Sequence, residues 1–277
     1  MGKLSQQEAR LRITVPEADA DLVSGELWQL GTLGIEQRYE GDQIVLLAGF
    51  SSAHTADLAA RTLGRFAVVE EFGSRDYLDS WRDYATIYRA GNRIVIRPPW
   101  VQYEPKASEL IVWMDPGRSF GSGSHPSTRL ALAELEQLLE GNESVLDVGC
   151  GSGILSVAAA RLGATEVLGI DIDPASVEVT TKNAKSNGVD ELVTASAIAL
   201  EEVTGTYDVV IANMLAPLLS SYGPTLVKMV RAGRRLVFSG LLSSQIERVV
   251  DACSPLRLLT TRSCESDECD WVSLTLG

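Results

Sequence analysis

Three short segments hold residues that can do chemistry, and each lies at the end of an apolar run. Residues 145–153 read VLDVGCGSG, an apolar strand running straight into Gly149, Gly151 and Gly153, with Asp147 just before them. Glycines at such a place allow a tight turn and let a ligand approach bare backbone. The helix that follows directs its first N–H groups at the same crevice, an end that favours a carboxylate or phosphate. Residues 169–174 read GIDIDP. Asp171 falls about twenty residues beyond the first glycine, where an acidic side chain can take both hydroxyls of a ribose. Asp173 reads as the N-cap of a helix that Pro174 opens. Residues 208–215, DVVIANML, place Asn213 just past a buried strand. A carboxamide at that rim offers a donor and an acceptor, and asparagine is equally suited to capping a helix.

Two ligand chemistries compete for this pattern. A dinucleotide site wants G-x-G-x-x-G with a small last residue, and this chain has Ile154 there. The pattern is instead G-x-G-x-G preceded by Asp147, whose carboxylate can accept hydrogen bonds from the loop backbone or from a ligand ammonium. A pyrophosphate gains nothing from that neighbour, whereas an amino-acid moiety does. Asp171 does not separate the two, since NAD and S-adenosylmethionine both carry a ribose. The residues favour S-adenosylmethionine, with Asp147, Gly149, Gly151 and Asp171 around it. A nicotinamide-dependent dehydrogenase is the remote alternative, and a glycine turn that only packs a helix is the bland one.

Residues 115–128, DPGRSFGSGSHPST, are too rich in glycine, serine and proline for a strand. The length of this loop and its lone Phe120 suggest a flap over a ligand. It leads into a helix over 129–139, for which Ser127 and Thr128 are candidate caps. The only histidines are His54 and His125, far apart in sequence. A histidine-based zinc site is therefore not expected, and no metal is assigned. His125 reads as a structural or loop residue.

These residues need elements to position them. Near the start, apolar residues alternate over 11–15, helical spacing follows over 19–30, and strands are expected over 34–39 and 43–48. A short helix over 55–63 and a strand over 66–72 complete the order β-α-β-β-α-β, that of a ferredoxin-like sandwich. Residues 77–88 (YLDSWRDYATIY) read as a linking helix or covered loop, and strands are expected over 93–97 and 109–114. From residue 126 strands alternate with helices, which predicts a mostly parallel sheet covered on both faces. The expected division is 1–73 as a small α+β domain, 74–90 as a linker helix and 91–277 as an α/β domain.

Composition narrows the functions. With 277 residues the chain suits two domains. A net charge of −13 argues against a grip on phosphate backbones and suits a basic protein partner. No apolar run reaches the roughly 18 residues of a membrane span, and residues 1–15 carry no leader pattern. Four cysteines without a C-x-x-C pair make a disulfide framework unexpected and fit a reducing compartment, the cytoplasm.

Taken together, FGSGSHPSTRLAL (120–132), VLDVGCGSGILSVAAARLGA (145–164), GIDIDPASVEVTTKNAKSNG (169–188) and DVVIANMLAPLL (208–219) resemble the PrmA family. Residues 79–100 also look like that family's linker and first catalytic-domain strands. These are methyltransferases that trimethylate amino groups of large-subunit ribosomal protein eleven. The resemblance implies a class I S-adenosylmethionine-dependent methyltransferase fold, Rossmann-like, behind a small domain that recognises the ribosomal protein. By motif position, Thr128, Gly149, Asp171 and Asn213 look like cofactor-contacting residues, Phe120 lies in the matching flap against the methionine end, and Asn213 is the candidate catalytic residue. It implies methyl transfer to lysine side-chain and N-terminal amines, with a basic ribosomal protein as partner. The family's loop reads F-G-T-G-x-H, and Ser122 stands here in place of the threonine. Related enzymes that act on electron-transfer flavoprotein share much of the motif set, so another lysine-bearing protein is the alternative substrate.

Overall fold

The computed structural model describes residues 9–32, 34–40, 43–71, 86–115, 121–264 and 269–277. The chain divides into two compact units, Met1–Ala85 and Thr86–Gly277. In the first, β1 (Ala9–Pro16), α1 (Glu17–Gln29), β2 (Gly34–Glu40), β3 (Gln43–Phe50), α2 (Ala53–Leu63) and β4 (Ala67–Glu71) follow the expected order. The sheet runs β2-β3-β1-β4, and every neighbouring pair is antiparallel. Alternation on β1 buries Leu11, Ile13 and Val15 on one face, against Val23 and Leu27 of α1 and Ala56 and Ala59 of α2. Ser52 and Thr55 form a reciprocal cap that starts α2, and Gly64, at φ 62°, stops it. Most of the linking helix expected over 74–90 lies outside the described residues; its last part, Tyr88–Ala90, is a strand.

The second unit is built on a seven-stranded sheet in the order β10-β9-β8-β11-β12-β14-β13. Its strands are β8 (Ser144–Val148), β9 (Glu166–Ile170), β10 (Val193–Ser196), β11 (Tyr207–Asn213), β12 (Val230–Leu242), β13 (Leu258–Ser263) and β14 (Trp271–Leu276). Pairing is parallel from β10 to β12 and antiparallel at β14. Because side chains alternate across a strand, Val145, Val209, Ile211 and Val237 enter one core, while Leu146, Val148, Val210, Ala212, Leu236 and Phe238 enter the other. The first core is covered by α3 (Pro126–Leu138), α4 (Ile154–Arg161) and α5 (Pro174–Ser186), the second by α6 (Ala216–Met229) and α7 (Ile246–Asp251). Burial on both faces is why these strands read as unbroken apolar runs.

Several elements differ from expectation. The strands β5 (Tyr88–Ala90), β6 (Ile94–Arg97) and β7 (Leu110–Trp113) form a separate three-stranded sheet. Asn187, the C-cap of α5, ties that sheet down: its Nδ2 donates to Trp113 O at 2.7 Å and its Oδ1 accepts from Trp113 N at 2.8 Å. β10 was not anticipated, because an edge strand with the single buried residue Val193 carries no periodic signal. The residues over 243–253 form a 3-10 turn, Ser243–Gln245, followed by the short α7. The cysteines need one correction: Cys264 and Cys269 are joined by a disulfide, while Cys150 and Cys253 are free and buried. A separation of five residues makes this a local staple at the β13–β14 turn, not a framework. Among the described residues, no helix is long and apolar enough to cross a membrane.

One buried acid joins α3 to the antiparallel edge. Glu134 is nearly inaccessible, and its carboxylate accepts from Arg262 Nε and Thr275 Oγ1, both at 2.7 Å. Replacing Glu134 with Ala strands the threonine hydroxyl and removes a charge-assisted pair. Urea unfolding of that variant should show a loss of about 2 kcal/mol with an unchanged slope; a loss below about 0.5 kcal/mol would show that the pair does not hold the edge.

Candidate functional site

The order of the large sheet reverses between β8 and β11. From β8 the chain winds outward through β9 and β10; from β11 it winds the other way through β12. A crevice opens at the carboxyl ends of the strands flanking such a reversal. Val148 pairs with Ala212 on one side and Ile170 on the other. The next residues, Gly149, Asn213 and Asp171, therefore stand at the ends of three adjacent strands. Three motifs distant in sequence meet on one rim.

The glycine loop is fixed by its neighbours. Gly149 and Cys150 donate their N–H groups to Ile170 O at 2.8 and 3.0 Å. Gly149, Gly151 and Gly153 have φ of 74°, 55° and 78°, a region that side-chain-bearing residues rarely adopt. At Gly153 a Cβ would lie 2.6 Å from Thr180 Cγ2, so α5 packs directly on the turn. At Gly149 a Cβ would meet only Met214 Cε, at 3.1 Å, and the residue is exposed. Bare backbone thus faces the crevice, as a close ligand requires.

Asp147 does more than its sequence context suggests. It is completely buried, and its Oδ2 accepts from Ser156 N at 3.0 Å and Ser156 Oγ at 2.6 Å. Gly153, the N-cap of α4, has no side chain to satisfy the helix end. Asp147 caps it from the strand below, so of the two partners expected for its carboxylate, the glycine-loop backbone or a ligand ammonium, the first is corrected to the first turn of α4. A carboxylate already there repels a second anion such as a pyrophosphate. Asp147 Oδ1 is buried and has no partner among the described residues. Burial, reinforced by the charge of Asp171, raises the Asp147 carboxyl from 3.8 to about 6.

Asp171 is half-buried at the rim and accepts from Gly151 N at 2.9 Å and Asp173 N at 3.0 Å. Each carboxylate oxygen uses one lone pair on the backbone and keeps capacity for another donor. Asp173 caps α5 through Ala175 N at 2.9 Å, and Pro174 occupies the first turn, as read from the sequence. Between the two acids, Ile172 is 87% exposed. The sequence reading passed over it; an isoleucine between two aspartates beyond the end of a strand was the available signal.

The opposite wall starts at α3. His125, not Ser127 or Thr128, is its N-cap: Nδ1 accepts from Ser127 N at 3.2 Å, and the helix begins at Pro126. Burial, and then the charge of Arg129, push the His125 imidazole down to about 4. Its ring sits edge-on to Trp271 with centroids 4.7 Å apart. Thr128 is fully buried and receives a bond from Asn213 Nδ2 at 3.3 Å. Asn213 is not a helix cap, because α6 is capped by Leu215. Ser239 Oγ, on β12, holds Ser127 O at 2.8 Å and locks the first turn of α3 to the sheet. Gly240, at φ 84°, brings its backbone so close that a Cβ would stand 3.0 Å from Asn213 Oδ1. Phe120 lies outside the described residues. Among the described residues, no group of three His, Cys, Asp or Glu is placed to hold a metal.

The sequence profile of the family described as "Ribosomal protein L11 methyltransferase (PrmA)" matches residues 51–277. A ribosomal protein L11 methyltransferase of Syntrophotalea carbinolica is 38% identical over 275 residues, covering 88% of this chain and 90% of the relative. One from Symbiobacterium thermophilum is 33% identical and covers 98% of this chain and 86% of the relative. Among solved structures, a ribosomal protein L11 methylase of Lactobacillus delbrueckii subsp. bulgaricus superposes with a TM-score of 0.63 at 29% identity, over 70% of this chain and 98% of that one.

The raised Asp147 carboxyl sets a pH dependence. As pH rises the unfolded chain gives up this proton near 3.8, while the folded chain keeps it to about 6. The stability this group contributes is thus present below the lower value and lost on the way to the upper one. Asp147→Asn removes the titration. Denaturation from pH 4 to pH 6 should show the variant gaining on the parent by about 2 kcal/mol. A constant difference across that range would mean the carboxyl titrates normally.

Proposed function

The chain belongs to the PrmA family of ribosomal protein L11 methyltransferases, and from that premise we propose that it transfers methyl groups from S-adenosylmethionine to lysine side-chain and N-terminal amines of ribosomal protein L11. The observation that carries the cofactor assignment is the rim itself: bare Gly149, the ribose-competent Asp171 and Asn213 stand together above a helix end already taken by a carboxylate. S-adenosylmethionine has a ribose for Asp171 and an amino group that can relieve the unpartnered Oδ1 of Asp147. It also has an aromatic base, for which exposed Ile172 offers an apolar surface next to Asp171. Gly149 and Gly151 admit its close approach, Thr128 and Asn213 form the far wall, and Phe120 is assigned to the methionine end by motif position. When bound, it supplies a methyl group on a positive sulfonium, already activated for displacement.

What remains for this chain is to hold an acceptor amine neutral and in line. A free lysine protonates with a pKa of about 10.4, so the site must favour the uncharged form, and desolvation does so. The carboxamide of Asn213 spends its Nδ2 on Thr128 and keeps Oδ1 to accept from the acceptor's N–H. That bond aims the nitrogen lone pair at the methyl group. His125 serves as a helix cap and stays uncharged at neutral pH, which leaves it a positioning role.

The first unit supports recognition of the protein substrate. It has its own core and displays Phe66, 89% exposed, and Tyr39, 71% exposed. Exposed aromatic side chains are available to a docking partner, where aromatics are enriched. A net charge of −13 attracts a lysine-rich protein and repels nucleic acid, so the contact is with the protein. A ribosomal substrate supports a cytoplasmic reaction.

With labelled S-adenosylmethionine, purified L11 should take up label at amines, as read by mass spectrometry. Label on another protein in a lysate, with none on L11, would keep the methyl transfer and discard the substrate. Failure to bind S-adenosylmethionine in calorimetry would overturn the assignment altogether. Asn213→Ala should lower kcat about a hundredfold while the melting temperature holds; near-normal turnover would remove Asn213 from the chemistry. Ile172→Asp should weaken S-adenosylmethionine binding about tenfold with kcat little changed, and unchanged binding would free Ile172 from the base pocket.

A further inference from the structure

The wall that carries Thr128 and the loop that carries Gly149 are joined by one buried side chain, braced by a second, that neither motif reading nor the reaction itself calls for. Ser152, inside the glycine loop, is fully buried, and its Oγ donates to Gly121 O at 2.8 Å. Gly121 has φ 105°, and a Cβ there would lie 2.5 Å from that same Oγ. The contact therefore depends on both residues being small. Asn183 of α5 is 1% exposed. Its Nδ2 donates to Ser152 O at 2.9 Å and to Asp115 O at 3.0 Å, and its Oδ1 accepts from Asp115 N at 3.3 Å. Asp115 and Gly121 are thus both tied to one residue of the glycine loop, Asp115 through Asn183 and Gly121 directly.

From Gly121 the backbone leads to Thr128, which receives the bond from Asn213 at the end of β11. β11 pairs with β8, and β8 leads back into the glycine loop. The bonds close a circuit around the crevice, and Ser152 is its only side-chain link between the glycine loop and the Gly121 segment among the described residues. We infer that Ser152, braced by Asn183, is a positioning residue that holds the two walls of the cofactor crevice at their binding distance before the cofactor arrives. The inference rests on the assignment of this crevice to S-adenosylmethionine. Preorganisation of this kind shows as affinity: without the link, part of the population leaves the binding-competent arrangement, and apparent affinity falls by that fraction. Saturating cofactor restores the arrangement, so the chemical step is spared.

The test is Ser152→Ala in the full chain, with S-adenosylmethionine affinity measured by calorimetry and KM and kcat by methyl transfer to L11. Kd and KM for S-adenosylmethionine should both rise about tenfold, with kcat within about twofold of the parent. A merely structural role would lower the active fraction, and so kcat, without moving KM. Ser144→Ala is the control: Ser144 Oγ donates to Asp208 at the other end of β8, and its loss should leave cofactor affinity unchanged. Asn183→Ala breaks the brace from the α5 side and should also raise KM. The double variant should fall short of the product of the two single effects, because both act on one circuit. If Ser152→Ala does not fold, Ser152→Cys keeps the volume while weakening the bond, and the same shift is expected from it. Parental Kd in folded Ser152 and Asn183 variants would overturn the inference. A parent protein that does not bind S-adenosylmethionine would instead overturn the assignment on which it rests.

Discussion

The buried carboxylate of Asp147 is the constraint around which this site is arranged. An ionised acid in the core is costly unless its environment compensates. Here compensation comes from one backbone N–H and one hydroxyl at the start of α4, both on Ser156. The arrangement frees the residues between strand and helix from capping duty. Gly153 can take a left-handed conformation without offering a side chain, and the whole turn can be made of small residues. The negative charge of Asp147 at that helix end disfavours an anionic ligand there. In the proposed reading, the second carboxylate oxygen, without a partner among the described residues, suits a ligand bearing an amino group.

Around that centre the walls are held by side chains from every neighbouring element. Asp171 holds Gly151 N, Thr180 holds Gly151 O and Asn183 holds Ser152 O, so the loop's polar backbone is satisfied from β9 and α5. On the other side Ser239 holds Ser127 and Asn213 holds Thr128. Each of these bonds is modest singly. Their value lies in geometry, because a displacement reaction depends on alignment that a loose crevice cannot supply. The strand reversal between β8 and β11 makes the arrangement possible by bringing three strand ends side by side.

Much of this was legible in the residues. The run VLDVGCGSG followed by helical spacing located the β8–loop–α4 unit, because a strand buried on both faces must be apolar throughout and a tight exit from it must be glycine. The cap at Asp173 was readable for a similarly local reason: Asp before Pro suits the N-terminal start of a helix. Less local features escaped. β10 was missed because edge strands need no apolar face, and the start of α3 was misplaced because a histidine ring took the capping role usual for Ser or Thr. The disulfide at Cys264 and Cys269 was not foreseen, since spacing alone does not say whether a hairpin brings two thiols together.

The sequence by itself determined the class of fold, the alternation of strands and helices, and which three motifs stand at the ends of buried strands. It could do so because backbone periodicity and turn chemistry act over a few residues. The tertiary structure decided what those residues do to one another. That Asp147 faces a helix end and not a loop, that Asn213 bonds to Thr128 and not to its own helix, and that Ser152 reaches Gly121 are all consequences of packing between segments far apart in the chain. No local pattern encodes them, because which donor meets which acceptor is settled only when the sheet brings its strand ends together and excludes water from between them.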